Sequence, residues 1–208
     1  MEKDIFYRVD KRMGKYKTYL HKPPHLFIDK AYYIITSHCV ENIRPFYNNE
    51  YKKTVCETLF CAFEKLHNWD IVAYVVLDNH YHILVKAGKS EELPDIIASA
   101  HKFSSRKINK IEDKVGRQIW YEYWDTVITS LSSFYARFNY IHYNPVKHGY
   151  VKRMEDYLFS SYRKYAEIDK RKLDQIQKKY PFDKLRSNGQ KFVAKKIVNY
   201  LFSNYLKV

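Results

Sequence analysis

Two apolar runs face each other across a two-residue turn. DIVAYVVL (70–77) and HYHILVK (80–86) are rich in β-branched and aromatic residues, and only Asp78-Asn79 separates them. That spacing predicts an antiparallel hairpin, which constrains the fold more than any other stretch because it decides which side chains share a face. Two further runs read as strands, AYYIITSHCV (31–40) and IWYEYWDTVIT (119–129). Between the strands the period changes. Val55, Leu59, Ala62, Phe63 and Leu66 mark one face of a helix over about 46–68. A second helix is expected over about 90–111, with Ser90 as its cap and Glu91 and Glu92 in its first turn, and a third over about 131–143. The order is strand, helix, strand, strand, helix, strand, helix. It predicts an α+β, ferredoxin-like split βαβ unit: an antiparallel sheet with helices on one face.

With 5 glycines and 6 prolines in 208 residues, the chain favours regular elements joined by short loops. It divides by composition into three parts. A basic N-terminal arm, 1–24, ends at Pro23-Pro24; a body follows at 25–151; a basic, mostly helical C-terminal extension occupies 152–208, with an amphipathic segment near 191–205. The net charge of +14 is uneven: the arm holds seven basic and three acidic residues, the extension fifteen and six, and the body fifteen and fourteen. A near-neutral body with basic flanks suits a polyanionic partner. The 21 tyrosines add flat faces that can stack on bases. Cys39, Cys56 and Cys61 form no CxxC pair and are odd in number, which argues against a disulfide framework or zinc knuckle. The first residues lack the apolar run of a signal peptide and no stretch is apolar enough to span a bilayer, so a cytoplasmic, nucleoid-associated protein with no membrane contact is expected.

Two groups of residues carry candidate chemistry. His80 and His82 are two apart on a strand, so both imidazoles point to one side, where they can grip one divalent ion, while Tyr81 points away into the packing layer. Tyr140 and Asn144 are four apart, neighbours on one helix face, with Lys147 and His148 continuing it. Pro145 predicts that this face bends or ends near Asn144. On spacing alone two readings stay open: the imidazoles and Tyr140 could equally be core residues, with Asn144-Pro145 a helix stop. Tyr121, Tyr123 and Tyr143 compete with Tyr140, but none precedes an amide and Pro-Val pair at the same spacing. His142 falls off the Tyr140 face, and His38 and His101 read as single structural or surface histidines. Lys102, Arg106 and Lys110 form a basic stripe on the second helix; with Arg137 and Lys147 they are the candidate DNA-binding residues, in contacts that would be sequence-independent and salt-sensitive.

Taken together, VVLDNHYHILVK (75–86), IWYEYWDTVI (119–128) and YIHYNPVKHGYV (140–151), followed by YLFSSYRKY (157–165), resemble the single-tyrosine HUH transposases, specifically the REP-associated tyrosine transposases and their insertion-sequence relatives. The resemblance covers about residues 25–165. It implies that His80, His82 and Asn144 are metal ligands, that the ion is Mg²⁺ or Mn²⁺, and that Tyr140 is the nucleophile. It further implies a transposase or nickase that cuts and rejoins single-stranded, hairpin-bearing DNA through a 5′-phosphotyrosine, as a monomer or homodimer. Phenols, with a pKa of about 10, are poor nucleophiles at neutral pH, which explains the need for an ion at the phosphate. The residues also admit two alternatives. One is a catalytically inactive single-strand-binding module of the same fold. The other is a metal phosphoesterase that uses water, with Tyr140 a bystander.

Overall fold

The structure is a computed structural model that describes residues 25–40 and 43–182. The basic arm 1–24 and the segment near 191–205 lie outside the described residues. Strand β1 (Tyr32–Cys39) is followed by helix α1 (Asn49–Phe60), β2 (Asp70–Val76), β3 (His80–Lys86), α2 (Leu93–Ile111), β4 (Trp120–Ile128), α3 (Leu131–Lys147) and α4 (Tyr162–Lys179), the last kinked at Asp169. The four strands form one sheet in the order β2-β3-β1-β4 with every neighbour antiparallel. This is the expected ferredoxin-like arrangement. Asp78-Asn79 make the expected hairpin turn, closed by Leu77 N–H donating to His80 O at 2.8 Å.

The two crossover helices share one face of the sheet, as expected. Tyr33, Ile35, Tyr81, Ile83 and Val85 project to that side and pack with Val55, Leu59 and Phe63 from the α1 region and Ile96, Ile97 and Ile108 of α2. The other face is covered as well. Tyr32, Val75, Leu77 and Leu84 meet Phe134, Phe138 and Ile141 of α3 and Tyr162, Tyr165 and Leu173 of α4. Burial on both sides explains why β3 is buried without interruption from His80 to Val85 rather than at alternate positions. Each fully buried large side chain adds roughly 1.5–3 kcal/mol, so both layers are needed to hold the sheet. The start of the region read as an extension thus belongs to the second core. Its segment 159–161 also covers the outer edge of β2: Val76 N–H donates to Phe159 O at 2.9 Å and Ser161 N–H to Tyr74 O at 3.1 Å. Among the described residues no helix is long and apolar enough to cross a membrane, and the three cysteines are free.

Three local expectations are corrected. Ser90 does not cap the second helix. It opens a short 3₁₀ turn, Ser90–Glu92, and its N–H and Oγ–H both donate to Asp29 Oδ1 at 2.7 Å. Leu66 is 61% exposed, because Cys61–Leu66 winds as a π-helix, and the wider turns rotate Leu66 off the buried face. Finally, α3 does not stop at Asn144 but runs through Pro145 to Lys147. The helix continues past the missing donor and its end is closed one turn later. Gly149 N–H donates to Val146 O at 3.0 Å and Tyr150 N–H to Pro145 O at 2.9 Å, with Gly149 at φ 73°. Gly149→Ala places a Cβ in the left-handed region and should cost about 1–2 kcal/mol. Urea denaturation checks this: an unchanged midpoint would mean that the helix does not end this way in solution.

Candidate active site

The site forms where the β3 hairpin meets the last two turns of α3. Strand pairing sets Thr36 opposite His82 and His38 opposite His80 on the side facing α3. His80 and His82 are both buried, and their rings meet edge to face at 5.1 Å between centroids. The hairpin turn orients the first ring: Asn79 Oδ1 lies 2.8 Å from His80 Nδ1. An amide oxygen can only accept, so His80 carries its proton on Nδ1 and keeps the Nε2 lone pair. Thr36 Oγ1, 2.7 Å from His82 Nδ1, engages the same atom of the second ring. A hydrogen-bonded Nδ1 with Nε2 left over is the usual state of a metal-binding histidine.

Both rings are held neutral. Burial pushes the His80 imidazolium down to about 4, with the neighbouring His38, His148 and Lys147 acting in the same direction and the Asn144 side chain opposing them. Burial does the same to His82, well below the ordinary histidine value, and again the nearby His80, His38, His148 and Lys147 add to it. Neutral imidazoles can donate lone pairs; protonated ones cannot.

Asn144 is fully buried and its side chain lies close enough to act on the His80 ring, but neither its Oδ1 nor its Nδ2 makes a hydrogen bond of good geometry. An unmade pair of this kind costs about 1–3 kcal/mol. Two lone-pair-bearing imidazoles and one buried amide oxygen make a mixed nitrogen and oxygen donor set of the kind that could hold a divalent cation. Among the described residues no group of three or more histidine, cysteine, aspartate or glutamate side chains could hold a metal ion, and Asn144 is the amide of α3 that lies beside the two imidazoles.

Tyr140, one turn before Asn144, is half-buried, and its ring meets the His82 ring at 5.2 Å. Lys147 Nζ lies 5.0 Å from the centre of the Tyr140 ring, a cation–π contact that places a positive charge beside the phenol. Among the competing tyrosines, Tyr143 stacks on Phe182 at 4.7 Å, and Tyr123 pairs with Ser37 and packs on the opposite core. Tyr121 lies at the exposed end of β4.

Residues 29–144, more than half of the chain, match the family described as IS200-like transposases. The chain belongs to the IS200-like transposase family. Within that family it is similar to a Haemophilus influenzae protein assigned as a REP-associated tyrosine transposase, 27% identical over 128 residues that make up 57% of this chain and 70% of the relative. The REP-associated tyrosine transposase of Escherichia coli K12 is 31% identical over 101 residues, 46% of this chain and 56% of that protein. The fold matches the solved structure of a REP-associated tyrosine transposase bound to a REP hairpin, with a TM-score of 0.60 at 20% identity, covering 88% of this chain and all of that one.

In this family member, then, the structure brings together His80, His82, Tyr140, Asn144 and Lys147. Arg137 sits one turn before Tyr140, where its Nη1 donates to Ser133 Oγ. Lys102, Arg106 and Lys110 are exposed as a stripe, but they lie across the sheet from the histidines, because the apolar face of α2 packs on the Tyr81 side. They do not line this site. Sequence reasoning missed two neighbours. His38, read as a lone surface or structural residue, stacks on His80 at 4.9 Å and 21°. Trp124, quoted only within a motif, meets His38 edge to face at 5.6 Å. Neither carries a signal in the sequence, since both reach the site only through the register of β1 against its two neighbours.

The depressed histidines make a testable demand. His80, at about 4, and His101 and His142, each pushed by burial to about 3, stay neutral in the fold, whereas they protonate near 6.5 when unfolded. The unfolded chain therefore binds more protons as pH drops, and stability present above 6.5 is lost towards pH 4. For His80 alone the loss at pH 5 is about 2 kcal/mol. Denaturation at pH 7 and pH 5 checks this; equal stability at the two values would mean that these imidazoles are not shielded.

Proposed function

We propose that this protein cuts and rejoins single-stranded DNA through a covalent link to Tyr140. The observation that carries the reading is the packing of the Tyr140 ring against His82, one helical turn from the orphaned amide of Asn144. Tyr140 Oη gives up its proton to solvent and attacks the scissile phosphorus, the bond from phosphorus to the 3′-oxygen breaks, and the departing 3′-oxygen takes up a proton from solvent. The products are a 5′-phosphotyrosine and a free 3′-hydroxyl. Because one phosphodiester replaces another, the reverse attack by a 3′-hydroxyl rejoins the strand without a nucleotide cofactor.

The residues divide the work. His80 Nε2, His82 Nε2 and Asn144 Oδ1 would hold a divalent ion, Mg²⁺ or Mn²⁺, which polarises the phosphate and offsets the charge that develops on it. Asn79 and Thr36 orient the two imidazoles. Lys147 offers a charge to a phosphate oxygen beside the phenol, and Arg137 lies one turn away to meet the same backbone. Lys102, Arg106 and Lys110, on the far side of the sheet, would serve a longer or wrapped strand rather than the reacting phosphate. A hairpin-bearing single strand is the proposed substrate. An unpaired strand exposes its phosphates to such a cleft, and a related fold is solved with a REP hairpin.

The test is covalent capture. The protein incubated with a labelled hairpin oligonucleotide and Mn²⁺ should yield a slower-migrating adduct on a denaturing gel, absent with chelator. A cut strand with no adduct would assign the attack to water, and retention of uncut DNA under native conditions alone would assign a binding module.

A further inference from the structure

We propose that Trp124 is a stacking platform for one unpaired base next to the scissile phosphate. The inference rests on the Tyr140 reading and adds to it a specific subsite for a nucleobase.

The placement follows from an irregularity in the sheet. In a regular strand residues 120 and 124 point to the same face. Here the β1–β4 register shifts between Ser37 and Cys39: Ser37 pairs with Tyr123, but Cys39 pairs with Trp120. Three steps along β4 thus match two along β1, and the extra residue reverses the faces. Trp120 goes into the core behind the sheet, 6% exposed, where its Nε1–H donates to Ser104 Oγ at 3.0 Å. Trp124 is turned to the other side, opposite Thr36, the residue that holds His82.

On that side Trp124 is 41% exposed on an edge strand. Exposure of one indole has no meaning by itself. What gives it meaning is continuity with the site. Trp124 meets His38 edge to face, and His38 stacks on His80, so a short row of rings leads from the imidazole pair to an open indole face. A strand whose phosphate sits between His80 and Tyr140 must place the adjacent base somewhere. An unpaired base has two apolar faces, and an accessible indole covers one of them whatever the base identity. Stacking there would hold the phosphate in register for attack, making Trp124 a positioning residue.

The test uses the intrinsic fluorescence of the full chain with a hairpin oligonucleotide carrying a single-stranded tail. The chain has three tryptophans, and Trp69 and Trp120 are buried at 1% and 6% exposure, so quenching on DNA binding should report Trp124. Trp124→Ala should raise the Kd or KM about tenfold, and Trp124→Phe should recover most of it. A panel of tails with single abasic sites decides the point. One position should cost the wild type about as much as Trp124→Ala costs, and should cost Trp124→Ala nothing further. Equal penalties for Trp124→Ala at every abasic position, or no penalty at all, would overturn the platform while adduct formation leaves the Tyr140 reading intact. Position-specific coupling in a wild type that never forms an adduct would instead remove the Tyr140 reading and keep the platform.

Discussion

Tyr140→Phe should eliminate covalent capture of DNA and leave the fold unchanged. The substitution removes one oxygen, and in the proposed reaction that oxygen forms the bond to phosphorus. Loss of a nucleophile that no other group replaces lowers the rate by at least about 10⁴-fold. The ring contacts with His82 and the Lys147 ammonium survive in phenylalanine. Because Tyr140 is only half-buried, stability should change by less than about 0.5 kcal/mol. Tyr143→Phe is the control: its ring stacks on Phe182, away from the imidazoles, and the adduct should persist. An adduct of normal yield from Tyr140→Phe would move the link to another residue and sink the assignment.

Asn144→Leu should move stability and activity in opposite directions. A core residue normally loses stability on substitution, but Asn144 is fully buried with both amide atoms unpartnered. Leucine has a similar size and no polar atoms to desolvate, so the metal-free protein should gain about 1–3 kcal/mol and melt a few degrees higher. The same change removes the amide oxygen that α3 offers beside the two imidazoles, and adduct formation should fall at least about 100-fold. Asn144→Asp keeps an oxygen donor, and should retain a response to Mn²⁺ that Asn144→Leu lacks. Calorimetry without metal and the gel assay with it give the two readings. A lower Tm with an undiminished adduct would show that the amide is a packing element and not a ligand.

Much of this was legible in the sequence because it is local. Asp78-Asn79 between two β-branched runs specifies a hairpin, and the period of two along HYH puts His80 and His82 on one side whatever surrounds them. The spacing of four between Tyr140 and Asn144 likewise holds in any helix. From such short-range rules came the element order, the ferredoxin-like sheet and the pairing of chemical groups within each element. The sequence was less informative where neighbouring turns compete. Ser90 has the composition of a cap but is claimed by Asp29, and Pro145 looks like a stop but the helix runs on and is closed at Gly149 a turn later.

Contacts between elements were decided only by the tertiary structure. That α3 crosses the imidazole face of β3, that His38 and Trp124 join the site, and that Lys102, Arg106 and Lys110 do not, all depend on which side each helix buries and on the strand register. The physical reason is range. Backbone geometry repeats over two or four residues and can be read from a short segment. Register and face are chosen by burial summed over the whole sheet, and a single bulge in β4 suffices to send two tryptophans of the same parity to opposite sides.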